Sequence, residues 1–99
     1  MSTSYNQRQI DLMKQKITEY RSNKLSIRDL LDYLEPLSNI LEDIDEADKL
    51  RLISAIGELD DIYAYAVYDN KTDFDLQDKE DITKILKKIE FLIDNPVYH

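Results

Sequence analysis

The residues from Asp69 to Glu80, DNKTDFDLQDKE, carry the spacing closest to a reactive or ligand-holding motif in this 99-residue chain. Counted as a twelve-position calcium loop, Asp69 stands first, Asp73 fifth, Asp75 seventh and Glu80 last, where a hard cation takes oxygen ligands. Two positions break the pattern. Lys71 occupies the third ligand place, and Phe74 sits where the sharp turn calls for glycine. No metal and no other cofactor is therefore expected. Nucleophilic catalysis lacks its parts too, because the single histidine is the last residue, His99, and a chain end does not hold an imidazole against a serine. The absence of cysteine removes disulfides, thiolate zinc sites and cysteine nucleophiles. Gly57 is the only glycine, so no glycine-rich phosphate loop exists. Paired carboxylates can do acid–base work, but among this many acids pairs arise by chance. The expectation is a protein that binds and does not catalyse.

Binding chemistry concentrates just before and within the same stretch. Asp60–Asp78, DDIYAYAVYDNKTDFDLQD, sets Tyr63, Tyr65, Tyr68 and Phe74 among six aspartates. Tyrosine offers a large rigid ring with a polar tip, and neighbouring carboxylates pair with arginine and lysine across an interface. The net charge of −8 is unevenly placed, with the acid in the middle of the chain: residues 1–28 carry +4, residues 29–81 carry −13 and residues 82–99 carry +1. A field of that sign repels nucleic acid and anionic membranes and draws in a basic protein. Lys14, Lys16, Arg21, Lys24 and Arg28 are scattered, and are expected to cap helices or pair with the chain's own acids rather than contact phosphates.

Elements must position these residues, and their periodicity is helical. The length suits one domain over residues 1–99, and the 42% hydrophobic and 34% charged shares suit a folded chain with a charged surface. One glycine and two prolines leave little hairpin chemistry. No apolar run is long enough to span a membrane and the first residues do not resemble a secretory signal, so a cytoplasmic location is expected. A first segment opens at Ser4, with Gln7 completing a capping box, and carries Ile10, Met13, Ile17 and Tyr20 on one stripe to about Ser22, with Asn23 and Lys24 as its exit. A second starts at Ser26 with Asp29 in its first turn. Its residues Ile27, Leu30, Leu34, Leu37, Leu41 and Ile44 form a heptad seam, within which Pro36 either kinks the helix or breaks it in two. Asp45 caps a third helix running through Tyr68, in which Leu52, Ile56, Leu59 and Val67 lie within about 40° of Tyr63. The strand-like alternation of YAYAVY explains only residues 62–68 and is set aside. After a loop over 69–77, a fourth helix begins near Asp78 with the stripe Ile82, Ile85, Leu86, Ile89, Leu92 and Ile93, and the run Asp94–Asn95–Pro96 stops it. The expected fold is all-α: a compact antiparallel bundle of four helices, or five if Pro36 breaks the second.

The helical wheel also divides the tyrosines. Tyr63 points into the core stripe, whereas Tyr65 lies about 200° and Tyr68 about 140° from it, toward Glu58 and Asp61. The opposing possibilities are that Tyr68 folds under the following loop, that Tyr65 packs on another helix, and that Phe74 plugs the bundle end. Tyr33 borders the seam of the second helix and is read as structural. The expected partner-binding set is Glu58, Asp60, Asp61, Tyr65, Tyr68, Asp69, Asp73 and Asp75.

The stretch LSIRDLLDYLEPLSNILEDIDEADKLRLISAIGELDDIYAYA resembles small acidic all-helical immunity proteins of bacterial contact-dependent inhibition and polymorphic toxin systems. The resemblance covers roughly Ile10 to Leu92 and rests on four features. These are the short basic first helix, the leucine-rich second helix with LEPL, the acidic link EDIDEAD, and a third helix ending among aromatics and acids. It implies a cytoplasmic protein that binds and neutralises a toxin domain, commonly a nuclease with a basic surface. No contact residue is carried over from the family. The toxin-binding protein is expected as a monomer in its complex or as a homodimer. Two other classes share parts of the pattern. A helical adaptor or regulator would bind another helix along a groove or dimerise through the heptad seam, and an acidic mimic would present carboxylates in place of phosphates to a nucleic-acid-binding protein.

Overall fold

A computed structural model describes residues 2–70 and 74–94, with side chains from Tyr5 onward. Lys71, Asp73, His99 and the Asn95–Pro96 stop lie outside the described residues. Four helices follow in order: α1 (Ser2–Arg21), α2 (Ile27–Asn39), α3 (Glu46–Tyr68) and α4 (Leu76–Asp94). No strand occurs among the described residues, and YAYAVY is the end of α3. Each helix packs on the next and α4 closes back on α1, with the links too short for anything but antiparallel neighbours.

Local chemistry explains most boundaries. The Ser26 hydroxyl accepts from the Asp29 N–H at 3.1 Å to open α2, and the Asp45 carboxylate accepts from Asp48 N–H at 3.3 Å to open α3. Asn23 and Asn70 turn the chain at the ends of α1 and α3 with φ of 61° and 57°, a left-handed conformation that asparagine tolerates. Pro36 lies inside α2, which continues to Asn39, so it does not break this helix in two and the described residues form four helices. Two starts differ from expectation. Helix α1 already begins at Ser2, which makes Ser4 a first-turn residue; the Gln7 amide donates to Asp11 at 2.8 Å, so there is no capping box. Helix α4 begins two residues before Asp78 because Asp75 is its cap, its carboxylate accepting from Asp78 N–H at 2.8 Å.

The core fills from all four stripes. Ile10, Met13 and Ile17 of α1, Leu30 and Leu34 of α2, Leu52, Ile56 and Leu59 of α3, and Ile82, Ile85, Leu86, Ile89 and Ile93 of α4 form one buried cluster. Tyr20, Tyr63, Phe74 and Leu92 are half-buried against this cluster. The heptad seam outlasts its helix: α2 ends at Asn39, yet Leu41 is buried and Ile44 half-buried from the α2–α3 link. Asn6 makes that possible. Fully buried, its amide donates to the Glu42 carbonyl at 2.6 Å and accepts from the Glu42 N–H at 2.8 Å, clamping the link onto α1. Val67 departs from the wheel and is 56% exposed, because in the last turn of α3 the buried position passes to Ala66.

The basic residues of α1 join the ends of the bundle. Arg21 grips Glu90 on α4 through both carboxylate oxygens, at 2.8 and 2.6 Å, and Lys14 pairs with Asp94. Lys16 sits 4.4 Å from the ring centre of Tyr33, which supports the structural reading of that tyrosine.

Candidate interaction surface on the third helix

Helix α3 packs on α2 along one flank and α4 along the other, leaving its outer face open. Tyr65 is 71% and Tyr68 85% exposed on that face. Neither tyrosine folds under the loop nor packs on a neighbouring helix, whereas Phe74 does turn into the bundle end. Glu58, Asp61, Tyr65 and Tyr68 follow one another at spacings of three and four, so the helix repeat stacks them along one stripe of about 80°. Asp69 continues that stripe as the exposed C-cap of α3, its N–H donating to the Tyr65 carbonyl at 3.0 Å while the Asn70 N–H donates to the Val67 carbonyl at 3.1 Å.

The remaining residues of the expected set divide. Asp75 is exposed but its carboxylate already caps α4. Glu58 lies 3.8 Å from Lys88 on α4, a loose ion pair at the surface. Asp73 lies outside the described residues. Asp60 turns away from the tyrosines toward α2, where it approaches Glu35, one helical turn beyond Asp32. The Glu35 carboxyl is held above its ordinary pKa by partial burial first, then by the negative charges of Asp60 and Asp32. This interhelical crowding of acids was not apparent from spacing, since Asp32 and Glu35 are remote from Asp60 in sequence.

Two further features of α3 extend the open face. Leu50, 60% exposed, and Ile53 stand on its outer side. The same wheel that separated the tyrosines places them about 140° and 80° from Tyr63, outside the core stripe. Gly57 lies between them and the tyrosines. A glycine inside a helix costs about 1 kcal/mol relative to alanine. Nothing lies within 4 Å of where its Cβ would stand, so no contact inside the chain requires it.

The other surfaces have different characters. A cleft of about 650 Å³ opens at the bundle end between Tyr20, Ile27, Tyr63, Val67, Phe74 and Ile82. It lies on the inner side of the last turns of α3, away from Tyr65 and Tyr68. The heptad seam of α2 is buried within the chain's own core from Ile27 to Leu41, so it presents no dimerisation surface. No group of three potential metal ligands converges among the described residues, and no helix among them is long and apolar enough to cross a membrane. Compared with family models, curated proteins and solved structures, the chain finds no match.

Proposed function

We propose that this protein is a cytoplasmic immunity protein that binds a basic toxin domain, a nuclease, and neutralises it by covering its surface. The observation that carries the reading is the exposure of Tyr65 and Tyr68 on one stripe of α3 with Glu58 and Asp61. The resemblance of Leu25–Ala66 to helical immunity proteins supplies the class of partner. In this reading the two rings are the desolvated anchors, and the carboxylates around them pair with the lysines and arginines that the toxin uses for nucleic acid. The −8 charge speeds capture by steering, which matters when the target acts catalytically. The adaptor alternative loses its motive with the burial of the α2 seam.

Co-expression with basic nuclease toxin domains tests the reading, with rescue of growth and affinity of the purified pair as the two measurements. The Tyr65→Ala/Tyr68→Ala double variant should remain folded, because both rings are exposed, yet bind at least about 30-fold more weakly. A folded double variant that binds as tightly as wild type would show that the tyrosines are not anchors. Failure of the wild type to bind or protect against any such domain would remove the immunity assignment itself.

A further inference from the structure

We propose that the outer face of α3 from Leu50 to Tyr68 is a docking track for a basic amphipathic helix, with Gly57 the point of closest backbone approach. The proposal rests on the reading above for the sign of the partner's charge and adds the element through which that partner engages. Leu50, Ile53, Gly57, Ala64 and Tyr68 fall within an arc of about 60° on the α3 wheel, over about 27 Å of helix. All but the half-buried glycine are exposed. They are not surplus core, since the inward stripe of the same helix is already filled by Leu52, Ile56 and Leu59. Single exposed apolar residues need no explanation, but here Leu50 and Ile53 line up with a helix-weakening residue that no internal contact demands. A missing Cβ lets a second helix lie closer, because interaxial distance is set by the side chains at the crossing.

Charge selects the occupant. Asp60 borders the track on the α2 side, with Asp32 and Glu35 behind it, and Asp61 borders it on the α4 side. Among the described residues no ion pair reaches any of these four carboxylates. A second copy of this chain would bring like charges face to face along the whole track. A helix with leucines on one side and lysines or arginines flanking them meets both the apolar strip and its acidic borders.

The probe is a fluorescein-labelled 18-residue peptide of leucine and lysine patterned at the helical period, with a leucine–glutamate peptide of the same pattern as control. Anisotropy titrations compare wild type, Gly57→Ala, Gly57→Leu and the Tyr65→Ala/Tyr68→Ala variant. The lysine peptide should bind wild type and the glutamate peptide should not. Gly57→Leu should weaken binding at least about tenfold and Gly57→Ala less. Both glycine replacements should raise the thermal midpoint, by about 4–8 °C for alanine, so that lost binding cannot be lost folding. The track is overturned if wild type does not bind the lysine peptide, if the glutamate peptide binds equally, or if Gly57→Leu binds as tightly as wild type. It is also overturned if sedimentation shows the face closed by self-association. A loss on the tyrosine variant with none on Gly57→Leu overturns the track and leaves the tyrosine anchors standing; the reverse supports a crossing at Gly57 and removes the tyrosines from it.

Discussion

At the scale of single residues, acids of α2 and α3 face one another across the helix contact, an arrangement that costs stability near neutral pH. Glu35 is pushed above its ordinary pKa by partial burial and by Asp60 and Asp32. A raised carboxyl binds its proton more tightly in the folded chain than in the unfolded one. Its contribution to stability is therefore present below the unfolded value of about 4.3 and is lost as pH rises through the folded value. Glu35→Gln removes that loss. The variant should be more stable than wild type at pH 7, by about 0.5 kcal/mol at most for so exposed a group, and the advantage should vanish near pH 4. Urea denaturation at the two pH values checks this, and an advantage that grew on acidification would contradict the sign. Tyr65 and Tyr68 belong to the same scale: most of their area faces water, so their replacement tests binding with little effect on the fold.

At the scale of elements, the α2–α3 link matters more than its length suggests. Residues 40–45 lie between two capped helices, yet they deliver Leu41 and Ile44 to the core. Their placement depends on the Asn6 side chain, which supplies both a donor and an acceptor to Glu42 in the manner of a neighbouring strand. Asn6→Ala removes both of these hydrogen bonds from the link, and the cost should be about 2 kcal/mol. Chemical denaturation should show a lower midpoint, and hydrogen exchange should show faster exchange at Glu42 with α4 little changed. Uniform weakening across all four helices would mean that the clamp acts on the whole core and not on the link. Helix α1 uses a different device against α4, since Arg21 and Lys14 reach across to Glu90 and Asp94.

At the scale of the molecule, charge is segregated along the chain and in space. The basic residues of α1 include Arg21 and Lys14, which α4 acids neutralise, while α2 and α3 carry an excess of acid over base. Self-repulsion of that kind lowers stability and is screened by salt. The thermal midpoint should therefore rise between about 20 mM and 500 mM sodium chloride, while affinity for a basic partner falls over the same range. A midpoint that dropped with salt would show that the α1–α4 ion pairs outweigh the acidic field.

Much of the architecture is legible in the residues alone, because helical periodicity and caps are local. The stripes of Ile10–Ile17, Ile82–Ile93 and Leu52–Leu59 mark their faces, and Ser26 and Asp45 mark two starts, since each cap bonds a backbone N–H three residues away. Isolation of Tyr65 and Tyr68 from Tyr63 follows from 100° per residue and needs no partner helix. The tertiary structure decided what depends on residues distant in sequence. It buried Ala66 in place of Val67 where the neighbouring helices end, and it carried the α2 seam past Asn39 because Asn6 holds the link. It also assigned Asp75 to a cap and turned Asp60 toward Glu35. A wheel reports direction around one axis, but whether a side chain there meets water, a like charge or a core is fixed by what the rest of the chain places opposite it.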